Sequence, residues 1–291
     1  MGIDTFINII LNGILIGGVY GLVASAFTFQ AGALQIVNFS YGSSTMLAMY
    51  LTFFLIKEWN IPIVFAVVIL FALFFTIGWI MRRTILNNTN HGTQILTTMA
   101  VELVIINLVI IFFTGFPRDM AIFEKRINIT DTISVGLTQL ICFFLAAAVL
   151  VSFHLFLNKT WAGMSIRAVV QKKEIANIMG INSERIMDLA FSISYLIIAI
   201  AGIMLMTMFQ VEPHFGNYMM TISFLVCVTA GIGNMGGSFL SGIIIGILSA
   251  LITTLLGAQF HDPVLFGLFV LILLVRPNGL FNSSKRIARQ I

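Results

Sequence analysis

The residues able to do chemistry in this chain are few, and they sit in apolar surroundings. Glu102 is the sharpest of them. It lies inside an apolar run, about one helical turn beyond the polar stretch 91–98. A charged side chain at mid-bilayer costs about 2.5–3.5 kcal/mol on insertion scales, so this carboxyl must face a bundle interior or water, or hold a proton. Two roles are open to it. It can line a solute pathway, where it would meet a substrate amino group or tune a gate. It can also be a hydrogen-bonding group that ties two helices. Asn107 faces the same choice, since amides between membrane helices act as glue.

A second group lies in residues 30–45, which read Q-A-G-A-L-Q-I-V-N-F-S-Y-G-S-S-T. The stretch is uncharged yet polar and small, and a lipid-facing helix would not carry it. Irregular backbone at membrane depth is tolerated only where protein or a water-filled cavity covers it. The stretch therefore predicts a broken or re-entrant segment. Asn38, Ser40, Tyr41 and Gly42 become candidates for lining a translocation pathway, because broken helices offer backbone groups and helix ends to polar solutes. Gly231 and Gly233, with Gly236 and Gly237, form a second glycine-rich interruption that could be a close backbone approach or a hinge. For both stretches the plainer alternative is a tight turn between helices.

The third group is the basic segment 158–187. From Ser165 to Met179 its spacing is helical, with Ile166, Val169, Val170, Ile175, Ile178 and Met179 able to form an apolar stripe interrupted by Lys172, Lys173 and Glu174. Gly180 suits the end of that helix. An exposed amphipathic helix either lies on a lipid surface or docks in a partner's groove, and the pattern alone does not choose.

Other chemistry is excluded. No G-x-x-x-x-G-K-[ST] phosphate loop occurs, so the chain cannot power itself by that route. His91, His154, His214 and His261 are scattered, no H-E-x-x-H is present, and no metal site is expected. Paired catalytic groups at one depth are missing, so the chain is not expected to be an enzyme by itself. Cys142 and Cys227 both lie in apolar runs and read as small buried residues rather than a disulfide.

The elements that must position these residues are membrane helices. Hydrophobic residues make up 59% of the 291 and charged ones only 9%, against about 25% charged in soluble domains. No charge occurs between Asp4 and Lys57, and only Glu212 and Asp262 occur between Asp188 and Arg276. Such gaps hold several helices of the ~20 residues that cross a bilayer. The apolar runs give nine candidate spans: 6–28, 40–56, 62–81, 95–114, 133–157, 187–209, 217–233, 238–257 and 262–275. The first lacks a basic leader and a small-residue cleavage site, and reads as a retained helix. Gly13, Gly17 and Gly21, and again Gly242 and Gly246, recur every four residues, a spacing that lets helix backbones approach closely.

Basic residues set the orientation. Arg82 and Arg83, the group Lys159, Arg167, Lys172, Lys173 and Arg185, and the tail residues Arg276, Lys285, Arg286 and Arg289 all fall on one side of this span list, which places the C-terminus in the cytoplasm. The opposite loops hold Lys57, Arg118, Lys125 and Arg126, nearly balanced by Glu58, Asp119, Glu124 and Asp131. With nine spans the N-terminus lies outside; an extra crossing hidden in 30–45 would put it inside. The basic residues sit between apolar runs rather than on one polar face, so no nucleic-acid partner is expected.

Several stretches carry a resemblance. R-A-V-V-Q-K-K-E-I-A-N-I-M-G-I-N (167–182) resembles the cytoplasmic coupling segment of the branched-chain amino-acid permease family of ABC importers (the hydrophobic amino-acid uptake type). G-V-Y-G-L-V-A-S-A-F-T-F (18–29) followed by V-N-F-S-Y-G (37–42) resembles the family's first helix and Asn-Phe turn. L-T-T-M-A-V-E-L-V-I-I-N (96–107), T-A-G-I-G-N-M-G-G-S-F-L-S-G (229–242) and L-V-R-P-N-G-L-F (274–281) resemble its fourth-span, glycine-rich and C-terminal signatures, all in the right order. The chain departs from the pattern at Ser40-Tyr41, where Ala-His is frequent, at Ser249, where a glutamate is frequent, and at Lys172, where an acidic residue is common. These changes bear on the substrate rather than on the fold.

The resemblance implies a permease subunit without its own cofactor. Its partners would be two cytoplasmic ATPase subunits carrying ATP and Mg, a second permease subunit (a sister chain or a second copy) and an external substrate-binding protein. It also implies that Arg167, Ala168, Lys172, Lys173, Glu174, Ala176, Gly180 and Ile181 couple the chain to the ATPases. The expected fold is all-α: a polytopic membrane bundle of about 8–10 transmembrane helices, forming one domain over 1–291 with a coupling segment at 158–187. The expected function is the translocation pathway of an ABC importer for amino acids or similar small solutes, in the inner membrane of a prokaryote. The alternative is a stand-alone secondary transporter, which would need a coupling-ion site near the midplane; Glu102 is the one acidic residue placed to serve it.

Overall fold

Apolar runs of this length can satisfy their backbone in lipid only as helices, and helices are what the chain forms. The computed structural model describes residues 3–87, 89–120, 126–130, 133–277 and 279–281. The tail residues Lys285, Arg286 and Arg289 and the loop residues Glu124, Lys125 and Asp131 lie outside the described residues. The helices are α1 (Ile3–Thr28), α2 (Tyr41–Phe53), α3 (Ile63–Ile80), α4 (His91–Phe113), α5 (Leu137–Lys159), α6 (Trp161–Gln171), α7 (Lys173–Ile178), α8 (Ser183–Met208), α9 (Phe215–Ala230), α10 (Met235–Leu255) and α11 (His261–Val275). Seven of the described helices are long and apolar enough to cross a membrane; α9 is shorter, and α2 has 13 residues. Every one of the nine expected spans has a helix.

Several boundaries differ from expectation by a few residues; the fourth and sixth spans start four residues early, at His91 and Ser183. The fifth span starts at Leu137 rather than at residue 133, because Ile133–Gly136 is strand β2, paired antiparallel with β1 (Arg126–Thr130) in register Ile127↔Val135. R-I-N-I-T and I-S-V-G alternate apolar and polar residues, the period of a strand, but the second run merges by composition with the helix after it. The third span starts one residue late, behind Pro62, whose fixed φ suits a helix start.

Three helices widen into a π-turn before they end: Phe29–Ala33 after α1, Phe54–Glu58 after α2 and Met81–Ile85 after α3. Each is closed by an amide bonded five residues back, Leu34 N to Phe29 O at 3.2 Å, Trp59 N to Phe54 O at 2.9 Å and Leu86 N to Met81 O at 3.1 Å. Gln35 and Asn60 then turn the chain out of the first two with φ of 54° and 50°.

Helices α1, α2, α8 and α9 form the centre, with α2 buried along most of its length. The outer helices α3, α4, α5 and α11 leave large apolar side chains such as Phe65, Phe112, Phe144 and Leu274 uncovered, as lipid or a partner subunit requires. The glycine spacing acts as expected. A Cβ on Gly17 would lie 2.7 Å from both Gly242 O and Ile243 Cα, and one on Gly13 would lie 2.7 Å from Ile247 Cα. Thus α1 and α10 meet backbone to backbone, a contact only glycine permits.

The loops sort onto two ends. One end joins the 29–40 break, the end of α3, the α6–α7 segment, the α9–α10 turn and the C-terminal strand of chain. The other joins the 114–119 loop to the 209–212 loop through paired backbone bonds between Arg118 and Val211 (3.0 and 2.8 Å), with Lys57 Nζ donating to Asp119 O. The described basic residues expected in the cytoplasm all lie at or near the first end.

Candidate functional site

The chain break after α1 is held by a closed polar network. Asn38 Nδ2 donates to Gln30 Oε1 (3.3 Å) and to Tyr195 OH on α8 (3.1 Å), and Gln30 Nε2 donates to Ser194 Oγ (2.7 Å). Asn38 Oδ1 accepts from the Ser40 amide (3.1 Å) and the Ser40 hydroxyl (2.7 Å), an Asx-type turn that starts α2. Tyr195 OH completes the set on Met81 Sδ at 2.8 Å, and Tyr41 OH donates to Val23 O at 2.6 Å. The Phe39 amide donates to Thr98 Oγ1 on α4 at 3.1 Å. Asn38, Ser40 and Tyr41 are fully buried, and Gly42 is buried where a side chain would strike Met220 of α9. In this conformation the four candidates are therefore brought together and sealed within the chain. The network pins α1, α2, α4 and α8 to one another, since an unpaired buried amide would cost about 1–3 kcal/mol.

The second interruption meets the first. Gly231 (φ 94°) and Gly233 (φ 90°) make the α9–α10 turn in a conformation that favours glycine, and a side chain on Gly32 would run into the Gly233 backbone. The C-terminal signature seals the same turn. Leu280 N donates to Thr229 O at 2.7 Å, Asn234 Nδ2 donates to Phe281 O at 3.1 Å, and Gly279 (φ 85°) packs on Gly231 where a Cβ would not fit. This explains the residue types of both motifs.

Glu102 and Asn107 stand apart from this cluster on α4. Asn107 is exposed and, among the described residues, donates only to Leu103 O of its own helix (2.7 Å). Glu102 is half-buried and makes no hydrogen bond or ion pair among the described residues. Its neighbours Leu103 and Val104 are 63% and 57% exposed, so this helix face is open to whatever covers the chain.

The segment expected to couple is two helices rather than one. Lys172 is extended (φ −151°, ψ 98°) and separates α6 from α7, so the stripe from Ser165 to Met179 does not run on one face. Ile166 and Val169 turn into the bundle, whereas Ile175, Ile178 and Met179 are 53%, 84% and 76% exposed. Arg167, Lys172, Lys173, Glu174 and Gly180 are exposed, Ala168 and Ile181 half-buried, and Ala176 buried. Side chains cap the joints with α5 and α8: Thr160 accepts from Gly163 N, Asn182 from Arg185 N and Asn177 from Ser183 N, each at 3.1 Å. Gly180 takes φ 83° after α7. Arg167 donates to Asn158 Oδ1 at 3.0 Å.

Sequence reasoning missed two groups. Glu184, at the start of α8, binds Lys173 at the start of α7 and, at 3.2 Å, Arg82 at the end of α3. Arg82 was expected only as a topology charge, yet its side chain is 6% exposed. A pair separated by 102 positions leaves no local signal. At the opposite end Ser249 Oγ lies 2.6 Å from His261 Nε2, and His261 Nδ1 lies 2.7 Å from Asp262 Oδ1, beside Tyr218, whose hydroxyl meets that of Tyr20 at 2.8 Å. This resembles a nucleophile relay in outline. Ser249, however, sits inside α10, where the surrounding amides are committed to helix bonds and cannot stabilise an oxyanion. No group of three or more His, Cys, Asp or Glu among the described residues could hold a metal.

Comparison with known proteins bears on the whole chain. A family model described as "Branched-chain amino acid transport system / permease component" matches residues 9–275. The high-affinity branched-chain amino acid transport system permease protein LivH of Escherichia coli K12 is 26% identical, covering 96% of both chains. BraD of Pseudomonas aeruginosa, described likewise, is 25% identical over 96% of this chain and 97% of its own. A probable branched-chain amino acid transport permease LivH of Methanocaldococcus jannaschii is 24% identical over 94% and 92%. Among solved structures, a chain of PsaBC from Streptococcus pneumoniae in complex with Fab shares the fold, with a TM-score of 0.52 at 13% identity, covering 93% of this chain and 91% of that one.

Proposed function

We propose a function that starts from one fact: this chain belongs to the branched-chain amino acid permease family. It is a multi-pass membrane protein, and in our reading it forms half of the translocation pathway of an ABC importer for branched-chain or similar amino acids. A second permease subunit, sister or copy, supplies the other half. Two cytoplasmic ATPases bind beneath, and an external binding protein delivers solute to the end that holds Arg118 and His261. The end that carries Arg82, the coupling segment and residues 279–281 faces the cytoplasm, as the basic residues favour.

One observation carries this reading. On α7, Ile175, Ile178 and Met179 are left uncovered beside Lys172, Lys173 and Glu174, while the same segment's Ile166 and Val169 anchor it in the bundle. An anchored helix with an uncovered apolar tip suits a groove on a partner, and charges around the tip fix its orientation. Movement of the ATPases would then reach the helices through α6 and α7. The pathway would open along the uncovered side of α4, where Glu102 is free to meet a substrate ammonium, and rearrangement around Asn38–Gly42 and Gly231–Gly233 would move its inner gate. Tight binding in the pathway would slow release, so few strong solute contacts are expected there.

The test is co-purification. The chain, expressed with its neighbouring ATPases, should bring them down, and Lys172→Glu with Lys173→Glu should weaken the complex while the chain itself stays folded. Uptake into liposomes by this chain alone, driven by an ion gradient, would replace this reading with a secondary transporter.

A further inference from the structure

Between the end of α3 and the start of α8 lies a charged cavity of about 250 Å³, lined by Arg83, Asn87, Asn182, Glu184, Arg185 and Asp188. Its donors are open to the outside. Arg83, Asn87, Asn182 and Arg185 are exposed, and neither guanidinium makes a hydrogen bond or ion pair among the described residues. The carboxylates do not match them. Glu184 is already held by Arg82 and Lys173. Arg82, Arg83, Lys173 and Arg185 thus stand against Glu184 and Asp188, so two of the four positive charges are left over. Arg83 also joins the cavity to the outward side of α3. Its guanidinium lies over the Trp79 ring, 5.0 Å from the centroid. Trp79 and Ile80, one turn earlier, and Phe75, two turns earlier, are exposed apolar side chains. Tryptophan is enriched where a membrane meets water, with its ring at the level of the lipid headgroups. A basic cavity and an apolar shelf therefore meet at that depth.

We infer that this cavity holds the headgroup of one anionic phospholipid, whose acyl chains lie along Trp79 and Phe75. The phosphate takes the free donors of Arg83 and Arg185. In phosphatidylglycerol the headgroup hydroxyls are left to meet Asp188, Asn87 and Asn182. Basic pockets between membrane helices suit such headgroups. Water in the cavity leaves the two positive charges unanswered. A free phosphate answers them but has no use for the apolar shelf beside Arg83. A zwitterionic lipid covers the shelf but brings no net charge. An anionic lipid does both with one molecule. Arg83 follows α3 and Arg185 stands in the first turn of α8, so the bound lipid ties the two helices together. The inference goes beyond the proposed function and does not depend on which side of the membrane this end faces.

The experiment is native mass spectrometry of the purified chain in mild detergent, with phosphatidylglycerol, phosphatidylethanolamine and phosphatidylcholine of the same acyl chains offered in turn. One phosphatidylglycerol per chain is expected to stay bound, with the two zwitterionic lipids about tenfold weaker or more. Arg83→Gln with Arg185→Gln should weaken phosphatidylglycerol about tenfold or more, with an unchanged elution profile. Lys159→Gln with Arg276→Gln removes the same charge from exposed residues outside the cavity and should leave binding within about twofold. Should the first pair fail to fold, Arg185→Gln alone takes its place, with a loss of about threefold or more. Equal retention of phosphatidylglycerol and phosphatidylethanolamine overturns the inference. Equal loss in the two double variants overturns it too, by reducing the effect to surface charge at large. Displacement of the lipid by inorganic phosphate at the same concentration marks a free-anion site and also overturns it. None of these results depends on whether an ATPase co-purifies, so this inference and the proposed function can fail separately.

Discussion

Glu184 makes two ion pairs of unequal worth, and substitutions should separate them. The pair with Lys173 joins side chains that are 52% and 48% exposed. Exposed pairs contribute about 0–1 kcal/mol, so Lys173→Ala should cost at most that. The pair with Arg82 joins a guanidinium whose side chain is 6% exposed. Removing one partner of a buried pair costs about 3–5 kcal/mol, because the other charge is left buried. Glu184 itself is half in solvent, so water can partly replace it, and the loss for Glu184→Ala belongs at the lower end, about 3 kcal/mol. The double substitution Arg82→Met with Glu184→Leu removes both charges and should recover most of that loss. The assay is thermal or denaturant unfolding of the chain in mild detergent, with tryptophan fluorescence as the signal. If Glu184→Ala and Lys173→Ala destabilise equally, or if the double substitution is worse than Glu184→Ala, then Arg82 is not a buried cation held by Glu184 and the reasoning fails.

Two further predictions follow from packing and hydrogen bonding. Gly17→Leu should destabilise by about 1–3 kcal/mol or more by forcing α1 from α10, while Gly267→Ala on α11, where nothing lies within 4 Å, should leave the melting temperature within a degree or so; similar shifts for both would deny the close contact. Tyr195→Phe removes a hydroxyl that accepts from Asn38 and should cost about 1–3 kcal/mol, whereas Tyr41→Phe removes a donor to a helix carbonyl and should cost about 0.5–1.5 kcal/mol; unfolding measurements giving the reverse order would count against the network.

Much of this architecture can be read from composition and spacing. Nine apolar runs became nine helices, and the four-residue glycine spacing became the α1–α10 contact, because charge depletion and small residues at helix period leave few other packings in lipid. The chain break near Asn38 was legible for the same reason. The inward direction of its side chains was not: whether a polar cluster faces a cavity or closes on itself depends on Gln30, Ser194 and Tyr195 arriving from elsewhere in the chain. The β1–β2 hairpin was hidden by the apolar run of α5. The split between α6 and α7 was hidden because Lys172 fits a helix as well as a hinge, and only the burial of Ile166 beside the exposure of Ile178 reveals two faces. Long-range pairs such as Arg82–Glu184 and Ser249–His261 have no local pattern to read.

The meeting of Gly32 with Gly233 constrains motion as well as packing. Two loops separated by some 200 positions share one point of contact with no side chain between them, so neither can advance toward the other. Any opening of this end must carry them apart or slide them past each other together. The joint therefore works like a pair of knuckles: it resists compression, yields to separation, and would jam if Gly32 gained a methyl group.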